Sequence, residues 1–237
     1  MRTENERRTK LLQLAAGAVF LAIVAVAVLI VVESSGSGGD TNLEGKTEVS
    51  GLLKGVPQAM ALSDQGLVLG DPKAPVELVE FGDLQCPVCK GYSEEILPPI
   101  IEKQVRQGQV RIVFLNFTII GEQSVAAGAA ALAAGKQGRG WNYVELFYRN
   151  QGEENSGYAD AEFLKAIAEG AGVKNIAKWE QEREQLMPEV ASSTADAKSL
   201  GFEGTPSFVI RGLNTGLELL GTPDSTAALE EAIEKAS

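Results

Sequence analysis

The sequence predicts an α/β protein in which a βαβ unit, a helical insertion and a ββα unit follow one N-terminal membrane-spanning helix. Three observations carry that prediction. Residues 11–32 form an uncharged apolar run, two β-branched runs flank a helical stretch between 76 and 115, and two more strand signals at 207–220 lead into an amphipathic helix. At 237 residues the chain has the length of one to two ordinary domains and can bury a substantial core.

The apolar run, LLQLAAGAVFLAIVAVAVLIVV, holds a single polar side chain, Gln13. As a helix it would be about 33 Å long, which matches the roughly 30 Å hydrocarbon layer. A cleavable signal peptide is the rival reading, but its apolar region is usually about 7–15 residues, shorter than this run. Arg2, Arg7, Arg8 and Lys10 precede the run, against Glu4 and Glu6, whereas Glu33, Asp40 and Glu44 follow it. The positive-inside rule then assigns 1–10 to a cytoplasmic tail, 11–32 to a retained anchor in the cell membrane, and all later residues to the extracytoplasmic side. Residues 33–54 begin with Gly and Ser and read as a flexible linker, leaving 55–237 as the folded domain.

Within that domain, strand signals at 76–81 and 110–115 are separated by a helix from about Pro87 to Gln107, in which Tyr92, Ile96, Ile100 and Ile101 recur at helical spacing before Gly108. Parallel strands joined in this way require a right-handed crossover. From about 124 to 200 the pattern is helical, with Trp141, Val144, Tyr148, Phe163, Leu164 and Ile167 in apolar stripes that read as core. Strands return at 207–210 and 217–220 around a turn containing Gly212, Asn214 and Gly216. A last helix starts near Asp224 or Ser225 and buries Leu229, Ala232, Ile233 and Ala236.

Composition excludes several chemistries. There is no histidine, so no Ser-His-Asp or Cys-His hydrolase and no His-ligated metal or haem can be built. The formal charge of −11 has the wrong sign for a nucleic-acid partner. Both cysteines fall in Cys86-Pro87-Val88-Cys89. Two thiolates are too few for a structural zinc, which takes about four ligands. A structural staple is also a poor fit, because so short a loop restrains the unfolded chain by only about 2 kcal/mol. The pair reads instead as a redox-active disulfide. Pro87 suits the first position of a helix, which puts the Cys86 sulfur where backbone N–H groups favour its thiolate. Cys86 is thus the attacking sulfur, and Cys89, one turn on, resolves the mixed disulfide.

The order of these elements, with the stretches GVPQ at 55–58, LGDPKAPV at 69–76, EFGDLQCPVC at 80–89 and GTPSF at 204–208, resembles the DsbA-like thiol:disulfide oxidoreductases of the thioredoxin superfamily, and within them the membrane-anchored BdbD-type branch of Gram-positive bacteria. The resemblance runs from about Gly55 to the C-terminus and implies a thioredoxin fold with no bound cofactor or metal beyond the Cys86-Cys89 pair. It further implies that Pro206 is a cis-proline facing the cysteines, with the Thr205 backbone free to pair with an extended substrate. Pro87 and Val88 join Thr205 and Pro206 in contacting substrate, and Glu80 is the buried acid that exchanges a proton with Cys89. Asp83 shapes the loop before the helix.

By the same resemblance the chain oxidises thiols of secreted or surface proteins and is itself reoxidised by a membrane redox partner of the DsbB or vitamin-K-epoxide-reductase type. One departure bears on its strength. Strongly oxidising periplasmic members carry Pro-His between the cysteines, and this chain carries Pro-Val, so its potential is expected nearer about −180 mV than about −120 mV. A reductase or isomerase in the same compartment, and a redox-inert binding or chaperone module, are the alternatives that these residues leave open.

Overall fold

The structure, a computed structural model, describes residues 48–61 and 65–237, so the expected tail and membrane anchor lie outside the described residues. Among the described residues no helix is long and apolar enough to cross a membrane.

The two β-branched runs form the centre of the sheet. Strands β3 (Val76–Gly82) and β4 (Val110–Asn116) pair in parallel, Val76 opposite Val110 through to Gly82 opposite Asn116. Strand β5 (Ser207–Gly212) adds antiparallel to β3, and β6 (Gly216–Gly221) closes the hairpin across a turn where Gly216 takes φ +66°. Two strands absent from the sequence reading, β1 (Gln58–Met60) and β2 (Gly66–Leu69), extend the other edge, giving the order β1-β2-β4-β3-β5-β6. Strand alternation sorts the faces. Leu78, Glu80, Ile112, Phe114, Phe208 and Ile210 occupy one of them. On the other, a single register row runs Ala59, Val68, Val113, Val79, Val209, Leu219 across all six strands.

The expected helix from Pro87 starts as α1 (Pro87–Gly91), passes through a π-helical stretch (Tyr92–Ile96) into α2 (Leu97–Ile100), and ends in a second π stretch (Ile101–Val105). Pro98 and Pro99 explain the irregularity, because neither ring nitrogen can donate to the carbonyl four residues back. The chain compensates with five-residue bonds, from Leu97 N to Tyr92 O and from Arg106 N to Ile101 O. Gly108 ends the segment with φ +69°.

The insertion supplies five helices: α3 (Glu122–Gly135), α4 (Gly140–Arg149), α5 (Ala161–Gly170), α6 (Ile176–Gln185) and α7 (Met187–Ser199). Its two tryptophans are core residues with their polar atoms satisfied, Trp141 Nε1 donating to Leu67 O at 2.8 Å and Trp179 Nε1 to Ala130 O at 2.9 Å. The final helix, α8 (Thr226–Ala236), is capped by Ser225, whose Oγ accepts from Ala228 N, and buries Leu229, Ile233 and Ala236. The main core lies between the cysteine-bearing face of the sheet and the helices. A smaller cluster of Phe81, Phe117, Ala197 and Val209 sits on the opposite face.

The expected linker, 33–54, extends too far. Residues 48–54 are docked on the domain: Ser50 N donates to the Glu145 carboxylate at 3.0 Å, Arg149 holds Glu48 O, Arg106 holds Leu52 O and Lys54 O, and Leu53 is buried in a 3-10 turn (Gly51–Leu53). The carboxylate and guanidinium partners lie about fifty to a hundred residues away in sequence, beyond the reach of a composition argument.

Candidate active site

Cys86 follows the tight turn that leaves β3. Its backbone is extended, φ −75° and ψ 120°, and it caps α1 with Pro87 at the first position. The Cys86 sulfur accepts from Cys89 N at 3.5 Å and lies 3.4 Å from Thr205 O, to which its thiol can donate. Both residues are thiols in the structure and both are buried, Cys89 completely. Pro87 and Val88 are exposed beside them. Thr205 is half-buried and Pro206 buried, and the peptide bond between them is cis.

The two sulfurs differ sharply in acidity. Cys86 is lowered from 9.0 to about 6, chiefly by the hydrogen bond from the Cys89 thiol, with further donors in the Thr205 side chain and the backbone N–H groups of Cys89 and Val88 outweighing the cost of burial. Cys89 is pushed well above 9.0 by burial first, then by its hydrogen bond to Cys86 and the nearby charges of Glu80 and Cys86. One sulfur is therefore a thiolate near neutral pH while its neighbour keeps its proton.

Glu80 lies on β3 on the same sheet face as the core beneath the cysteines, and it is almost fully buried. Burial, and secondarily the Cys86 charge, raise its carboxyl from 4.5 to about 8. Its Oε1 has no hydrogen-bond partner among the described residues. A buried acid that is mostly protonated at neutral pH and coupled to both sulfurs can give or take one proton at low cost.

Asp83 holds the loop by geometry. Its Oδ1 accepts from Gln85 N at 2.9 Å, and its Oδ2 from Ile119 N at 2.9 Å and Ile120 N at 3.1 Å. Sequence reasoning missed the residues that complete this bracing. Gln85 is buried, donating to Ser124 Oγ at 2.9 Å and accepting from Asn155 N at 3.0 Å. Tyr148, read only as core, donates its hydroxyl to Asp83 O at 3.2 Å, and Gln151 donates to Leu84 O and Cys86 O. These side chains meet partners 39 to 70 residues away in the chain, so no local signal marked them. Among the described residues no cluster of three or more His, Cys, Asp or Glu could hold a metal ion.

A low-pKa sulfur, a protonated neighbour one turn away and a buried acid are the parts of dithiol-disulfide exchange. The thioredoxin family model matches residues 62–235. A Bacillus cereus protein named as a probable disulfide bond formation protein D is 28% identical over 172 residues, covering 70% of this chain and 76% of that protein. Disulfide bond formation protein D of Bacillus subtilis is 27% identical over 150 residues, covering 60% and 66%. The crystal structure of oxidised BdbD from Bacillus subtilis superposes with a TM-score of 0.66 at 23% identity, over 76% of this chain and 97% of that one. The chain belongs to the thioredoxin family.

Proposed function

We propose that this protein is a membrane-tethered, extracytoplasmic oxidase that forms disulfides in secreted or surface proteins. The observation that carries this reading is the asymmetry of the pair: stabilising the Cys86 thiolate stabilises the reduced enzyme, which makes its disulfide a good oxidant. In the first step a substrate thiolate attacks Cys86 Sγ, the Cys86-Cys89 bond breaks, and Cys89 leaves with the bonding electrons and takes a proton from Glu80. A second substrate thiolate then attacks the substrate sulfur of the mixed disulfide and expels the Cys86 thiolate. The substrate has lost two electrons and the enzyme has gained them. Glu80 recovers its proton from solvent or from the incoming thiol.

Substrate chains would dock over Pro87, Val88, Thr205 and Pro206, with the Thr205 backbone pairing along an extended segment. The apolar length of 11–32 and its charged flanks support the tether and the extracytoplasmic side. The chain carries no quinone or flavin motif, which supports a membrane partner of the DsbB or vitamin-K-epoxide-reductase type for reoxidation.

The test is the redox state in growing cells, trapped by acid and alkylation. A mainly oxidised pair is expected, together with mixed disulfides through Cys86 in a Cys89→Ser chain. A mainly reduced pair would replace the oxidase with a reductase or isomerase, as would a glutathione-equilibrated potential below about −250 mV. Labelling of the cysteines by a membrane-impermeant maleimide in intact cells checks the side of the membrane.

A further inference from the structure

The turn at 83–86 places the nucleophile, and the donors that hold it from outside come from the insertion. Inside the turn, Cys86 N donates to Asp83 O at 2.9 Å and Gln85 N to Asp83 Oδ1. The carbonyls of Leu84 and Cys86 both face one group: Nε2 of Gln151, at 2.7 Å and 3.1 Å. Cys86 O also accepts the first bond of the helix, from Lys90 N at 3.1 Å. Gln151 sits in the turn that ends α4, its own N–H bonded to Tyr148 O, so it and Tyr148 reach the active-site turn from one side, three residues apart. Two carbonyl oxygens converging on one point repel each other unless a donor lies between them. Without it the peptide planes on either side of Gln85 and Cys86 would rotate toward water, and the Cys86 backbone angles that aim its sulfur would change.

We propose that Gln151 is a positioning residue for Cys86: its amide clamps Leu84 O and Cys86 O and thereby keeps the Cys86 sulfur within reach of the Cys89 N–H and the Thr205 strand. The proposal deepens the oxidoreductase reading and rests on Cys86 being the nucleophile. The clamp acts at a distance where small displacements matter, because the Cys89 N to Cys86 Sγ contact is already 3.5 Å. Gln151 also turns the N–H end of its dipole toward the peptide group of the nucleophile, a fixed partial positive charge in a chain with no imidazole to offer one.

The experiment follows the thiolate absorbance of the reduced full chain at 240 nm against pH in wild type, Gln151→Met and Gln151→Lys. Methionine keeps the length and removes the donors, whereas lysine keeps a donor and adds charge. Gln151→Met is expected to raise the Cys86 midpoint by about half to one pH unit, and Gln151→Lys to return it to the wild-type value or below. At pH 6 the reaction of Cys86 with a small aromatic disulfide should slow about two- to fivefold in Gln151→Met. Equal midpoints in wild type and Gln151→Met, or the same rise in Gln151→Lys as in Gln151→Met, would overturn the clamp. If circular dichroism shows that Gln151→Met has lost its fold, Gln151→Ala takes its place with the same expected rise and the same overturning result. A wild type with no thiolate near pH 6 would instead overturn the assignment of Cys86 as nucleophile, and the clamp with it.

Discussion

The Cys86 sulfur lies 3.4 Å from the carbonyl oxygen of Thr205, a contact between residues 119 positions apart in the chain. It joins the two halves of the thioredoxin fold at the reacting atom. The reduced protein should show thiolate absorbance with a midpoint near pH 6, lost in Cys86→Ser and retained in Cys89→Ala at a higher pH, because the Cys89 thiol is the largest contributor to that low value. Thr205→Val, which keeps the backbone and removes the hydroxyl, should raise the midpoint by a smaller amount.

Stability should depend on pH in a way that reports both buried groups. Glu80 rises from 4.5 to about 8 on folding, so the folded chain holds a proton that the unfolded chain has lost between those values, and stability falls as pH rises through that window. Cys86 falls from 9.0 to about 6, so folding releases a proton between them and stability rises with pH there. The urea midpoint of the reduced protein should therefore fall from pH 4.5 to about 6, change little to about 8, and rise toward 9. Oxidation removes the thiol contribution and should leave a fall across the whole Glu80 window. Glu80→Gln should abolish that fall.

Removing the Asp83 carboxylate leaves three backbone N–H groups without their acceptor, those of Gln85, Ile119 and Ile120. Asp83→Ala should cost about 3 kcal/mol or more in urea unfolding and lower activity by loosening the turn. Asp83→Asn retains one acceptor oxygen and should recover part of the loss.

Two glycines are required by close approach. A methyl group on Gly128 of α3 would come within 2.5 Å of Asn116 Oδ1, and one on Gly212 would collide with the Ala236 backbone of α8. Gly128→Ala should cost about 1–3 kcal/mol as α3 shifts off the sheet. Gly212→Ala, meeting rigid main chain in place of a side-chain tip, should cost more and should increase hydrogen exchange in α8.

The strands at 76–82 and 110–116 and the helix that opens at Pro87 were legible because β-branched alternation and a proline after a strand are local signals. The cysteine pair and Pro206 were legible through ordered motifs. Strands β1 and β2 were not, since three residues cannot show a period and Gly66–Leu69 is buried on both faces, leaving no alternation to read. The bracing of the active-site turn escaped for a different reason. Gln85 meets Ser124 and Asn155, and Gln151 meets Leu84 and Cys86, across separations of 39 to 70 residues, and a glutamine at any one of these positions looks like ordinary polar surface.

These separations also set when the active site is complete. Val88 and Cys89 can cap the Cys86 sulfur as soon as α1 forms. The donors from Tyr148 and Gln151 exist only once α4 has docked, and Thr205 arrives only when β5 has paired with β3. During synthesis the local donors of α1 are therefore in place early, whereas the bracing of the turn and the Thr205 contact are complete only when nearly the whole domain has emerged and closed. The final geometry of the active site thus waits on the helical insertion, and the motif around Cys86 does not complete it alone.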